Sequence, residues 1–67
     1  MKTFNDTHRK TYQRALNELK NASSADQHAT AVNYATLFIA SLEGVKNCDL
    51  YIGNLKFVIR NTSKKWL

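Results

Sequence analysis

The first third of the chain repeats apolar and polar residues at helical spacing. Its apolar positions, with one histidine among them, share about 120° of a helical wheel: Phe4, His8, Tyr12, Ala15, Leu16 and Leu19. The opposite side carries polar and basic residues: Arg9, Lys10, Gln13, Arg14, Asn17 and Lys20. The pattern predicts an amphipathic helix over about residues 4–20, begun by a Thr3–Asp6 capping box or capped by Asn5 or Asp6.

A second helix is predicted after a short polar loop, residues 21–24. Ser24 and Gln27 have the spacing of a capping box, and Gly44 supplies a residue that adopts positive φ beyond the last turn. The helix is therefore expected over about residues 25–43. Its apolar face consists of Ala31, Val32, Ala35, Phe38, Ile39 and Leu42.

The other face of this second helix has no charged residue. It consists of His28, Thr30, Asn33, Tyr34, Thr36, Leu37, Ala40 and Ser41. A solvated helix face normally carries Lys and Glu, so we expect this one to be covered by the first helix, by a sheet or by another copy of the chain. The protein-binding residues predicted from it are Asn33, Tyr34, Leu37 and Ala40.

The last third of the chain alternates with the period of a strand. Gly53-Asn54 suits a two-residue hairpin turn, which pairs apolar residues 48, 50 and 52 with residues 59, 57 and 55 on one face. This predicts a β-hairpin over about residues 47–61, with Tyr51, Lys56 and Arg60 on its exposed face. Burial of Tyr51 together with solvation of Leu50 would contradict that register.

The resulting fold class is α+β, with two helices packed on a two-stranded antiparallel hairpin (ααββ) and a basic tail over residues 62–67. All 67 residues form one domain, and its small size makes it marginally stable. Cys48 is the only cysteine, which excludes a disulfide within one chain. Because small domains need additional stabilisation, we expect a homodimer, whose second copy extends the sheet.

Charge is segregated along the chain. All ten Lys and Arg residues lie outside residues 21–45, and the formal net charge is +5. An excess of this size favours an anionic partner, namely nucleic acid, an acidic protein or anionic lipid. The polar N-terminus predicts that there is no signal peptide, and the most apolar run, residues 35–42, is too short to span a membrane. Because a single free thiol suits a reducing compartment, we expect a cytoplasmic protein.

The titratable residues do not form a pattern typical of an enzyme. Asp26 and Glu43 would lie about 25 Å apart on one helix, which is too far for paired carboxylates. Cys48 is predicted to be a core residue, where a thiolate is disfavoured. The histidines His8 and His28 do not have metal-ligand spacing with it. We therefore expect no enzyme activity, cofactor or metal.

Two function classes remain, with homodimerisation through the second helix as a third interpretation. The first is a small regulatory or inhibitory protein that docks on another protein, of the kind found among phage and mobile-element accessory proteins. The alternative is direct nucleic-acid binding by basic and aromatic side chains, although no helix-turn-helix motif is present. The anion-binding residues predicted for it are Arg9, Lys10, Arg14, Tyr51, Lys56, Arg60, Lys64, Lys65 and Trp66.

Overall fold

A computed structural model describes residues 2–66, which are mainly helical. The elements in chain order are β1 (Lys2–Thr3), α1 (Asp6–Asn21), α2 (Ala25–Ser41), β2 (Val45–Lys46), α3 (Asp49–Ser63) and a 3-10 turn (Lys64–Trp66). Tyr51, near the start of α3, contacts Phe4 and Tyr12, and Thr62, near its end, contacts His28 at the start of α2. Helix α3 therefore runs parallel to α1 and antiparallel to α2. The molecule is elongated, with principal extents of 38 × 17 × 14 Å.

The predicted ααββ fold is wrong, because residues 47–61 do not form a hairpin. Most of this segment belongs to α3, and the strands present in residues 2–66 are β1 and β2. These strands pair in parallel over two residues each, Lys2 with Val45 and Thr3 with Lys46. Leu50 is 88% exposed and Tyr51 is half-buried, the combination that contradicts the hairpin register.

A second apolar pattern within the same residues explains why α3 is helical. The side chains that α3 turns inward follow helical spacing: Tyr51, Ile52, Leu55, Val58, Ile59 and Thr62. Asp49 in the first turn and Arg60 in the last turn interact favourably with the helix dipole. A helix also satisfies its own backbone groups, whereas a lone two-stranded sheet leaves two open edges. These terms outweigh the weak helix propensity of Gly53 and of the β-branched residues.

The two predicted N-terminal helices are confirmed, with shifted ends. Asn5 caps α1: its Oδ1 accepts a hydrogen bond from the His8 N–H at 3.0 Å, and His8 Nδ1 accepts one from the Asn5 N–H at 3.1 Å. Ser24 caps α2, as predicted, by accepting a hydrogen bond from the Gln27 N–H at 3.1 Å. After α2, Gly44 has a φ of 81°, the left-handed conformation expected at this position.

The core lies along the line where the three helices meet. The largest fully buried side chains among residues 3–66 are Leu19, Leu42 and Leu55, which come from α1, the C-terminal cap of α2, and α3. Cys48 is also buried, and its Sγ donates a hydrogen bond to the Val45 carbonyl at 3.2 Å. This placement confirms the prediction of a core cysteine. Within the described part of the chain, no helix has the length and apolar character needed to cross a bilayer.

One end of the molecule is filled by aromatic rings around Phe4. The Phe4 ring stacks on Tyr51 with centroids 4.0 Å apart, and it lies 6.5 Å from the rings of both Tyr12 and Phe38. The Phe4 N–H donates to the Lys46 carbonyl at 3.1 Å and so extends the contact between β1 and β2. The segment before α1 is thereby fixed to the connection between α2 and α3.

Candidate protein-docking site

The outer face of α2 is uncovered in the single chain. Asn33, Leu37 and Ala40 are exposed, and Leu37 keeps 72% of its surface in solvent. Tyr34 is half-buried against α1. The expected covering by α1 or by a sheet is therefore wrong for most of this face, while covering by another copy of the chain stays a prediction.

A groove of about 320 Å³ lies beside Leu37, between α1 and α2. The described residues that line it are His8, Thr11, Tyr34, Leu37, Phe38 and Ser41. None of them is a lysine, arginine, aspartate or glutamate. The groove thus adds an uncharged concave surface to the exposed leucine. Of these residues, Tyr34 and Leu37 were among the predicted protein-binding residues, whereas Asn33 and Ala40 do not line the groove. The sequence pattern did not predict His8 or Thr11, because their position depends on how α1 packs against α2.

Arg14 connects the two sites that were predicted separately. Its guanidinium carbon lies 5.6 Å from the centre of the Tyr34 ring, within the range of a cation–π contact. Its Nε also lies 3.6 Å from Glu18 Oε1 on the next turn of α1. Both interactions are weak at an exposed position, and they place the guanidinium beside Tyr34, at the edge of the groove.

A larger groove of about 510 Å³ lies further along the α1–α2 contact. Its lining is mostly polar and includes Glu18 and Asp26, with Ala22 and Ala31 as the apolar contribution. Residues 3–66 contain no group of three or more His, Cys, Asp or Glu side chains positioned to hold a metal. Without a large apolar side chain at its edge, this groove is less suited to protein docking than the one beside Leu37.

The predicted anion-binding residues occupy two separate helices. Arg9 and Lys10 are exposed on α1. Four exposed bases follow one another along α3 and the 3-10 turn: Lys56, Arg60, Lys64 and Lys65. Among the side chains described, the pair of Arg14 with Glu18 is the one ion pair within 4 Å. The four bases therefore share a helix rather than the predicted hairpin face and tail.

Two aromatic residues predicted to bind nucleic acid pack on the protein itself. Tyr51 stacks on Phe4. Trp66 is half-buried, and the centroid of its ring lies 6.4 Å from the centroid of the His28 ring. The Lys65 ammonium lies 5.2 Å from the centroid of the Trp66 ring. These contacts leave less of each ring free for base stacking than an exposed aromatic side chain would have.

A contact near Trp66 joins a buried histidine of α2 to α3. The Thr62 hydroxyl donates to the Val58 carbonyl at 2.7 Å, and its oxygen lies 2.8 Å from His28 Nε2. His28 thus holds the start of α2 to the end of α3, a structural role that the sequence pattern did not predict.

The outer face of α3 carries a surface that the sequence analysis missed. Leu50 and Phe57, predicted to face the core, are 88% and 64% exposed. They lie seven residues apart on one side of the helix, with Gly53 between them. Their i, i+7 spacing was the signal that could have identified the surface, but the strand period concealed it.

Comparisons of the chain with models of protein families, with curated proteins and with solved structures found no match. The surfaces of residues 3–66 are thus the basis for inferring a function. They comprise an uncharged groove beside Leu37, a polar groove along α1 and α2, and an apolar and basic outer face on α3.

Proposed function

We propose that this chain is a non-enzymatic protein that regulates or inhibits a partner protein by docking on it through the outer face of α2. The observation that supports this is Leu37, 72% exposed at the edge of an uncharged groove. Complete burial of a leucine side chain stabilises a complex by about 1.5–3 kcal/mol. The groove offers that gain without the free energy needed to strip water from a charge.

The chemistry of the groove determines the type of partner. Because its lining contains no lysine or arginine, it is poorly suited to bind a phosphate backbone. The ligand that fits is an apolar side chain of another protein, inserted beside Leu37 and Phe38 with Tyr34 at the edge. A cytoplasmic location is part of the proposal, because the single, buried Cys48 suits a reducing compartment.

The test is affinity capture from the cells in which the protein is native, after nuclease treatment. Wild type is compared with Leu37→Glu and with Ala29→Glu, which adds the same charge at another exposed position of α2. We expect a partner that wild type and Ala29→Glu retain and Leu37→Glu loses. If all three chains capture the same proteins, or if nuclease removes every partner, the proposal is wrong.

Light scattering identifies the case in which the partner is a second copy. A wild-type dimer that becomes a monomer on Leu37→Glu, and stays a dimer on Ala29→Glu, would place the dimer contact on this face. A wild-type monomer would exclude the homodimer and leave a different protein as the partner.

Nucleic-acid binding is the second candidate, favoured by the four exposed bases of α3 and the 3-10 turn. Residues 49–66 contain these four bases and only one acidic residue, Asp49. Mobility-shift assays over a salt series test it with duplex and single-stranded oligonucleotides. We expect Lys56→Gln with Arg60→Gln to weaken binding and to reduce its salt dependence, and Arg14→Gln to change it little. Absence of binding to either strand form at low salt would exclude this candidate.

A further inference from the structure

Leu50 and Phe57 form an apolar pair that contributes little to the core. They stand two turns apart, about 10 Å along the helix axis, on the same side to within about 20°. This spacing is that of side chains in a row that packs against a neighbouring helix. In the chain itself, no element covers either residue to more than about a third of its surface.

Gly53 creates a notch between these two side chains. It lies three residues after Leu50, so positions 50, 53 and 57 follow the i, i+3, i+7 spacing of a helix–helix contact. A Cβ at Gly53 would meet no atom of the described residues within 4 Å, and its φ is not positive. Glycine inside a helix is less favourable than alanine. The fold therefore has no need of glycine here, and the missing side chain leaves space in which another helix can approach closely.

A row of bases borders the apolar pair. Lys56, Arg60 and Lys64 are exposed and succeed one another at four-residue spacing, which places them along one side of the helix. Like charges at this spacing repel one another and destabilise a helix. Among the side chains described, none of the three has a carboxylate within 4 Å. A partner with acidic residues along its edge would relieve this repulsion.

We infer that the outer face of α3 binds an acidic amphipathic helix of another protein. An apolar side chain of that helix enters the notch at Gly53 between Leu50 and Phe57, and its carboxylates pair with Lys56 and Arg60. A second copy of this chain fits poorly, because it would bring the same bases to the contact. An anionic bilayer would require a broader apolar band than two side chains provide.

A synthetic peptide of about five helical turns is the probe, with leucines at i, i+3 and i+7 spacing and glutamates beside them. A control peptide has lysine in place of every glutamate. Fluorescence anisotropy should show binding of the acidic peptide in the micromolar range, and binding of the lysine peptide at least about tenfold weaker. Failure of the acidic peptide to bind, or equal binding of both peptides, would overturn the inference.

Variants of the protein locate the contact. Phe57→Ser, Gly53→Leu and the Lys56→Glu with Arg60→Glu double variant should each weaken acidic-peptide binding about tenfold or more. Lys20→Glu with Lys46→Glu is the matched control, because it makes the same charge change at two exposed bases outside α3 and should leave binding unchanged. An equal loss on this double variant would overturn the inference, as would Gly53→Leu binding as tightly as wild type. Circular dichroism of each variant verifies that the helices are intact.

Two further ligands test whether the outer face of α3 binds an anionic membrane or a nucleic acid instead of an acidic helix. Vesicles of mixed phosphatidylglycerol and phosphatidylcholine, and a single-stranded oligonucleotide, are titrated under the same conditions. Tighter binding to either one than to the acidic peptide would overturn the inference. This surface and the groove beside Leu37 lie on different helices, so failure of one assay leaves the conclusion from the other intact.

Discussion

The outer faces of α2 and α3 are both open to solvent, but they differ in charge. On α2, Leu37 stands among small and polar residues such as Asn33 and Ala40, and the one Asp of this helix, Asp26, lies in its first turn. On α3, Leu50 and Phe57 stand beside a row of lysine and arginine side chains. Similar exposure of apolar side chains thus occurs in two different electrostatic surroundings within one small molecule.

This difference teaches that exposed apolar area alone does not define a partner. Burial of a leucine or phenylalanine contributes to affinity in either place, because it depends on the area removed from water. The neighbouring charges determine which partners can approach and how strongly salt weakens the contact. The α2 face suits a neutral apolar ligand, and the α3 face suits an acidic one.

The largest expected difference in stability is between alanine substitutions at two leucines of α3, one on its inner side and one on its outer side. Leu55 is fully buried and Leu50 is 88% exposed, so Leu55→Ala should lower the free energy of unfolding by about 2–5 kcal/mol. Leu50→Ala should change it by no more than about 0.5 kcal/mol. Urea denaturation followed by circular dichroism measures both. Similar losses for the two variants would show that α3 has no outer face of the kind described.

The corresponding pair on α2 is Ala35 and Ala40. Ala35 is fully buried among the helices, whereas Ala40 lies on the outer face. Ala35→Leu should destabilise the protein by about 1–3 kcal/mol, since the core has no room for three added carbons. Ala40→Leu should be neutral to within about 0.5 kcal/mol. Thermal unfolding of both variants is the measurement, and a costly Ala40→Leu would mean that the α2 face is already covered, for example in a homodimer.

The two glycines should respond to alanine with opposite signs. Gly53→Ala should stabilise the protein by about 0.5–1 kcal/mol, because the position is an ordinary helical one with free space. Gly44→Ala should destabilise it by about 1–2 kcal/mol, because the φ of 81° is unfavourable for a residue with a Cβ. Urea midpoints give both values. Loss of stability on Gly53→Ala would show that the fold itself requires this glycine. The glycine would then not be evidence for a partner helix at the notch.

The smallest expected effect on the free energy of unfolding is the difference between Glu substitutions at two bases of α3, Arg60 and Lys56. Arg60 lies in the last turn, so Arg60→Glu should cost about 0.3–1 kcal/mol through its interaction with the helix dipole. Lys56 lies in the middle of α3, and Lys56→Glu should be nearly neutral or slightly stabilising, since it reduces the repulsion along the row. Unfolding at low ionic strength measures both differences. A large loss on Lys56→Glu would assign this base a role within the fold.

The two helices that sequence reasoning predicted correctly have local signals that agree with one another. In α2, the Ser24 cap, the apolar face around Ala35 and the positive φ of Gly44 all lie within or beside the element. Each depends on residues a few positions apart. No competing pattern occurs in these segments. The absence of a charge on the α2 face, in contrast, predicted a covered surface, whereas most of this face is exposed in the single chain.

In α3, two patterns share the same residues, and the local signals do not decide between them. The strand pattern buries Leu50 and Phe57, while the helical pattern buries Tyr51 and Val58. The choice depends on contacts between distant parts of the chain, such as the stack of Tyr51 on Phe4. The groove beside Leu37 was beyond prediction for a similar reason, since two of its six lining residues, His8 and Thr11, come from α1. Opposite charges at the two ends of residues 49–63 were the local clue that favoured a helix.

The pairing of β1 with β2 has a consequence for how the native state opens. Joining Lys2 to Val45 closes a loop of about forty residues, with an entropy cost of about 3 kcal/mol that two short strands cannot offset alone. We therefore expect the pair to form after α1 and α2 have packed and to separate before they unfold. The Phe4 N–H should then exchange with solvent deuterium much faster than the amides around Leu19. On this expectation, the end of the molecule with the most aromatic contacts is the end that opens first.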